Sequence, residues 1–188
     1  MINREEALKI LEEKVQNQNI IKHMLATEAM MKALAKKFEP EKIEEWGLSG
    51  LLHDGDYSES VPLEKQGIQI SEWVEEKGYD VPEAVKHAMA AHNMENTGVK
   101  PESKMDWALF CGDSLTGLIV ASALVLPDKK LAGVTSETVL KRFKEPKFAA
   151  GTRREGIKMC EEHLGISLEE FVKITLEAMQ EVHEEIGL

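Results

Sequence analysis

Hydrophobic positions recur at helical spacing along most of the chain, and the polar positions between them carry helix start and stop signals. Asn3 and Glu6 have capping-box spacing ahead of an apolar stripe of Ala7, Leu8, Leu11 and Val15, which predicts a short amphipathic first helix. Rows formed by Ile21, Leu25, Ala29 and Ala33, and by Ala26, Met30 and Leu34, predict a longer second helix that Phe38 and Pro40 bring to an end. Pro40, Pro62, Pro82 and Pro101 each precede a further helical stretch, as expected where the missing N–H of proline falls in an unpaired first turn. Turns are predicted at Gly55–Ser58, Lys77–Asp80 and Asn93–Gly98 from their Gly and Asn content. Ser167 and Glu170 open a last helix expected to close near Gly187. Alternating β-branched residues are almost absent, so the chain reads as all-α. No flexible linker or repeat divides it, which predicts one domain over residues 1–188.

Composition fits that picture. The 188 residues are 43% hydrophobic, 30% charged and 5% aromatic, which suits a globular core and argues against disorder. A net charge of −11 speaks against a stable grip on nucleic acid or anionic lipid. The longest apolar run, Leu118–Leu126, is about half of what a bilayer span needs, so no membrane helix is expected. Met1–Glu6 lacks the apolar core of a secretory or transit signal, and a cytoplasmic location is expected. Cys111 and Cys160 are read as buried, reduced thiols. Residues 128–158 invert the local charge, with nine Lys and Arg against four Asp and Glu.

The candidate chemistry lies in histidine and aspartate. His53 and Asp54 follow the apolar segment Trp46–Leu52, where a buried helix end can present an imidazole and a carboxylate to one ion. Such mixed ligands favour Mn, Fe, Co or Zn over Mg, although Mg stays open. Asp113 stands in an apolar stretch, and a buried carboxylate needs a cation or hydrogen-bond donors. His87 and His92 are five residues apart, about 140° around a helix, so both serve one centre only if the helix ends near His92. By the same angle Glu28 is not assigned as a co-ligand of His23. Met24, Met30, Met31 and Met89 suit core positions, and His163 and His183 are expected in solvent.

Taken in order, His23, Gly50-Leu51-Leu52-His53-Asp54, His87, His92 and Asp113 resemble the signature of the HD-domain metal-dependent phosphohydrolase superfamily. Gly112–Ile119 and Lys141–Lys144 are similar to a bacterial and archaeal subgroup of small stand-alone HD hydrolases, and the likeness covers nearly the whole chain. The resemblance implies a compact multi-helix HD-domain bundle, with a metal-site core over about residues 19–126 and a C-terminal helical extension over about residues 127–188. It implies that His23, His53, Asp54 and Asp113 hold one divalent metal, that His87 and His92 hold a second ion or contact substrate phosphate, and that Asp54 bridges two ions. Catalytic roles would fall to Asp54, which orients the attacking water, and to His87 and His92 beside the departing oxygen. Lys141 and Arg142 gain weight as phosphate contacts. The sequence departs from the common His-Asp-Ile-Gly pattern at His53-Asp54-Gly55-Asp56, where Asp56 is read as capping a turn.

The implied activity is hydrolysis, by metal-activated water, of a phosphomonoester or phosphodiester in a nucleotide or other small phosphorylated metabolite. The same ligands suit two alternatives: a di-iron oxygenase, or a nucleotide-sensing module whose metal is structural. Homo-oligomer formation is left open.

Overall fold

The computed structural model describes residues 1–188 and contains twelve α-helices and no strand. In chain order they are α1 (Arg4–Lys14), α2 (Gln18–Phe38), α3 (Ile43–Leu52), α4 (Gln69–Glu76), α5 (Glu83–His92), α6 (Met94–Thr97), α7 (Lys104–Leu124), α8 (Ser136–Phe143), α9 (Arg154–Lys158), α10 (Cys160–His163), α11 (Leu168–Glu181) and α12 (His183–Ile186). The fold is an all-α bundle.

Local signals explain most helix ends. Asn3 accepts a hydrogen bond from the Glu6 backbone N–H while the Glu6 side chain returns one to Asn3, the full capping box at the start of α1. Ser103 and Asp106 make the same reciprocal pair at α7. At α11 only half of the box forms. Ser167 accepts from the Glu170 N–H, but the Glu170 carboxylate pairs with Lys37 at 2.9 Å instead. The expected last helix also breaks, because the chain re-caps at Val182 and α12 closes on Gly187 in the left-handed region. That break turns Ile186 into the core, while Glu185 reaches Arg4 at 2.8 Å.

Two helices form the centre. Every residue of α3 from Trp46 to Leu52 is buried, and α7 packs against α2, α5, α8, α9, α10 and α11. By length and composition α7 could span a bilayer, a match that the run Leu118–Leu126 alone did not suggest, yet most of it is buried inside the bundle. Gly50 lets α3 lie directly on α2: a Cβ there would stand 2.8 Å from the Thr27 carbonyl oxygen and 2.9 Å from the Glu28 nitrogen. One apolar cluster joins Met30, Met31 and Leu34 of α2 to Leu109, Leu115 and Ile119 of α7 and to Phe171 and Leu176 of α11. Residues 127–188 therefore share a core with the helices before them. A second cluster packs α1, α3, α4 and α5 around Leu11, Leu51, Ile70 and Met89.

Several polar residues prove structural. Glu28 is buried and pairs with Arg4 at 2.7 Å and Lys32 at 2.7 Å, tying α1 to α2. His163 is not free in solvent but stacks on Trp107, with ring centroids 3.5 Å apart, whereas His183 is exposed. Cys111 and Cys160 are buried and unbonded, and burial pushes the Cys160 thiol up to about 12.

Candidate metal centre

The contact at Gly50 sets the geometry of the site. His23 lies one turn before Thr27 on α2, and His53 follows the end of α3, so the close approach of the two helices brings the imidazoles together. Their Nε2 atoms are 3.2 Å apart. Asp113 comes from the middle of α7, with Oδ1 3.0 Å from His23 Nε2 and 3.7 Å from His53 Nε2. Asp54, in the turn after α3, points Oδ2 at the same place, 3.7 Å from His23 Nε2 and 3.6 Å from His53 Nε2. One ligand atom from each of His23, His53, Asp54 and Asp113 lies within 4.8 Å of the others, a group able to hold a metal ion.

The tautomers support that assignment. His53 Nδ1 is 2.8 Å from the Gly50 carbonyl, which only accepts, so the ring proton is on Nδ1 and the Nε2 lone pair faces inward. The Thr116 hydroxyl donates to the Asp113 carbonyl at 2.7 Å, leaving its oxygen to accept from His23 Nδ1 at 3.2 Å. Two imidazole lone pairs and two carboxylates then converge on one point. A bound cation would relieve that repulsion, and imidazole nitrogen with carboxylate oxygen is a donor set that suits a divalent transition metal. Outer hydrogen bonds of this kind fix ring orientation in metal sites.

The second oxygen of Asp54 looks the other way. His92 Nε2 lies 3.4 Å from Asp54 Oδ1, and His92 Nδ1 donates to the Met89 carbonyl. Asp54 thus touches His23 and His53 through one oxygen and His92 through the other. Burial pushes the Asp54 carboxyl up, but the adjacent His53 and the His92 hydrogen bond outweigh it and hold the group down at about 2. For Asp113, burial is likewise outweighed by the adjacent imidazoles of His23 and His53, and its carboxyl sits well below the usual range. Burial alone would lower His92, yet the Asp54 carboxylate leaves it raised.

Other residues singled out in the sequence go elsewhere. His87 donates from Nδ1 to Asp106 Oδ2 at 2.9 Å, and that buried carboxylate also receives the Glu102 and Ser103 N–H groups. His87 is held there and does not join the rings of His23, His53 and His92, because α5 ends at His92 and only its last turn reaches Asp54. Arg142 reaches Glu145 at 2.7 Å and stacks over Phe148, and Lys141 lines a separate surface recess with Lys144 and Lys173. Asp56 caps a turn, accepting from the Gly67 N–H at 2.8 Å and the Ile70 N–H at 2.9 Å at the entrance to α4.

The basic residue that does arrive is Arg153. Its Nη2 donates to Asp113 Oδ2 at 2.8 Å, on the side away from His23, and its guanidinium lies 5.3 Å from the Phe110 ring centroid. Arg154 turns the opposite way and donates to the carbonyls of Phe143, Glu145 and Phe148, pinning the segment that leads to Arg153. The sequence signal was the basic stretch itself, in which Arg153 looks like its neighbours. Comparison with protein-family models, curated proteins and solved structures finds no match to this chain.

Proposed function

We propose that the protein is a metal-dependent phosphohydrolase that cleaves a phosphomonoester or phosphodiester in a nucleotide or other small phosphorylated metabolite. The observation that carries this reading is the division of Asp54 between two imidazole environments, His23 with His53 on one oxygen and His92 on the other. His23, His53, Asp54 and Asp113 would hold a divalent ion, Mn, Fe, Co or Zn, in keeping with the HD-type resemblance. Bound there, such an ion supplies Lewis acidity that acidifies water and offsets charge on a phosphoryl group.

The chain's own residues supply orientation and proton handling. Asp54, placed between the two imidazole environments, would orient a reacting water. His92, with Nδ1 donating to the Met89 carbonyl, turns Nε2 toward Asp54 and, when protonated there, can release a proton to a departing oxygen. Arg153 fixes Asp113 from behind and places a delocalised positive charge at the rim, where phosphate oxygens would lie. Hydrogen bonds from Nδ1 of His53 and His92 to fixed carbonyls keep both rings from turning.

The test is phosphate release from a panel of phosphomonoesters and phosphodiesters with manganese added, comparing wild type with Asp54→Asn. Metal-dependent release that falls to background in the variant is expected. No release from any ester, or release undiminished in Asp54→Asn, would overturn the reading; oxygen consumption by iron-loaded protein would replace it with oxidation.

A further inference from the structure

Two recesses open beside the His/Asp cluster. One, of about 340 Å³, lies between Asp113, Ser114 and Gly117 of α7 and the segment Ala149–Thr152, where Ala149 turns the chain at a left-handed φ of 44°. The other, of about 470 Å³, lies between the start of α2 and the end of α7, walled by Val120, Leu124 and Ile186, with Lys22 on its polar side. Its volume is that of a small-molecule site. His23 and Gly117 line both.

Gly117 has no explanation inside the chain. It sits within α7, where glycine is the poorest helix former after proline. Its φ is not positive, so no special backbone conformation requires it. Gly112 on the same helix is a packing glycine, since a Cβ there would stand 2.2 Å from Met30 Sδ. A Cβ at Gly117 would meet nothing within 4 Å. Gly117 is exposed and stands with His23 on the shared rim of the two recesses, so a bulky side chain there would project over the ground between them.

Resting on the phosphohydrolase reading, we infer that Gly117 keeps open the route from the cluster to the apolar recess, and that this recess receives the organic group of the ester. The substrate class is then a phosphoester of an apolar, ring-sized group. Its phosphate lies beside His23, Asp113 and Arg153, and the ring lies against Val120, Leu124 and Ile186.

The experiment uses calorimetric titration of the manganese-loaded protein with two non-hydrolysable probes, methylphosphonate and 1-naphthylmethylphosphonate. Wild type is expected to bind the naphthyl probe at least about tenfold more tightly, from the apolar area it buries. Gly117→Leu is expected to bring that ratio to within about twofold. Gly117→Ala, which adds only a Cβ in open space, is expected to melt about 2–4 °C higher, as a better helix former should. Equal binding of the two probes by wild type, or a preference kept in Gly117→Leu, overturns the inference while methylphosphonate binding leaves the phosphohydrolase reading standing. Failure of both probes to bind wild type removes both. A lower melting point for Gly117→Ala also overturns it, because the glycine would then serve packing.

Discussion

Substituting Gly50 tests the origin of the site geometry. An alanine Cβ at this position would stand 2.8 Å from the Thr27 carbonyl oxygen and 2.9 Å from the Glu28 nitrogen, both backbone atoms that cannot swing aside as a side chain would. Ordinary Cβ contacts begin near 3.4 Å, so α3 and α2 must part by about 0.5 Å. Overpacking of this kind costs up to about 3 kcal/mol, and the better helix propensity of alanine returns about 1 kcal/mol. A net loss of about 2 kcal/mol corresponds to a melting point lower by about 4–8 °C for a chain of this size. The same displacement moves His53 from His23, and metal sites tolerate errors of only about 0.2 Å, so affinity for manganese should fall at least about tenfold. Thermal unfolding and manganese titration of Gly50→Ala against wild type give both readings. An unchanged or higher melting point with unchanged affinity would refute the argument that this helix contact sets the ligand spacing.

Arg153→Met keeps much of the side-chain volume but leaves Asp113 Oδ2 without its donor; manganese affinity should drop about 10- to 100-fold by titration, and equal affinity would detach Arg153 from the site. Asp56→Ala strands the buried N–H groups of Gly67 and Ile70, so urea unfolding should show a loss of about 3 kcal/mol, and a loss under about 1 kcal/mol would mean that water replaces the carboxylate. Cys160 has its folded-state value raised to about 12 from 9.0, mainly by burial, so its stabilising contribution is complete below pH 9 and is lost as pH rises toward 12. Stability measured from pH 8 to 11 should therefore fall less steeply in Cys160→Ala than in wild type, and equal slopes would contradict a protected thiol.

The residues that carry chemistry in their own side chains were the legible part of this site. His23, His53, Asp54, His92 and Asp113 were named, together with His87, because their order along the chain resembles the HD-type signature, and the structure brings these five together. His87 could not be separated from His92 by composition, since its fate depends on Asp106, a carboxylate whose partners are the N–H groups at the start of α7. The basic stretch was equally ambiguous. Arg142, Arg153 and Arg154 are alike in sequence, and only the path of the chain after α8 sends the second to Asp113, the third to backbone carbonyls and the first to Glu145. Helix starts were read well where a capping pair is local, as at Asn3 and Glu6. The break at Val182 was not, because it answers to the burial of Ile186 among residues distant in sequence.

The central claim is that the cluster holds a metal ion, and elemental analysis of protein purified without chelator or a metal-binding tag tests it most directly. His53→Ala serves as the matched control, its fold checked by circular dichroism. One or two equivalents of Mn, Fe, Co or Zn in wild type, lost in the variant, is the predicted result. Wild type that carries no metal as purified and binds none of these ions when they are added would contradict the account.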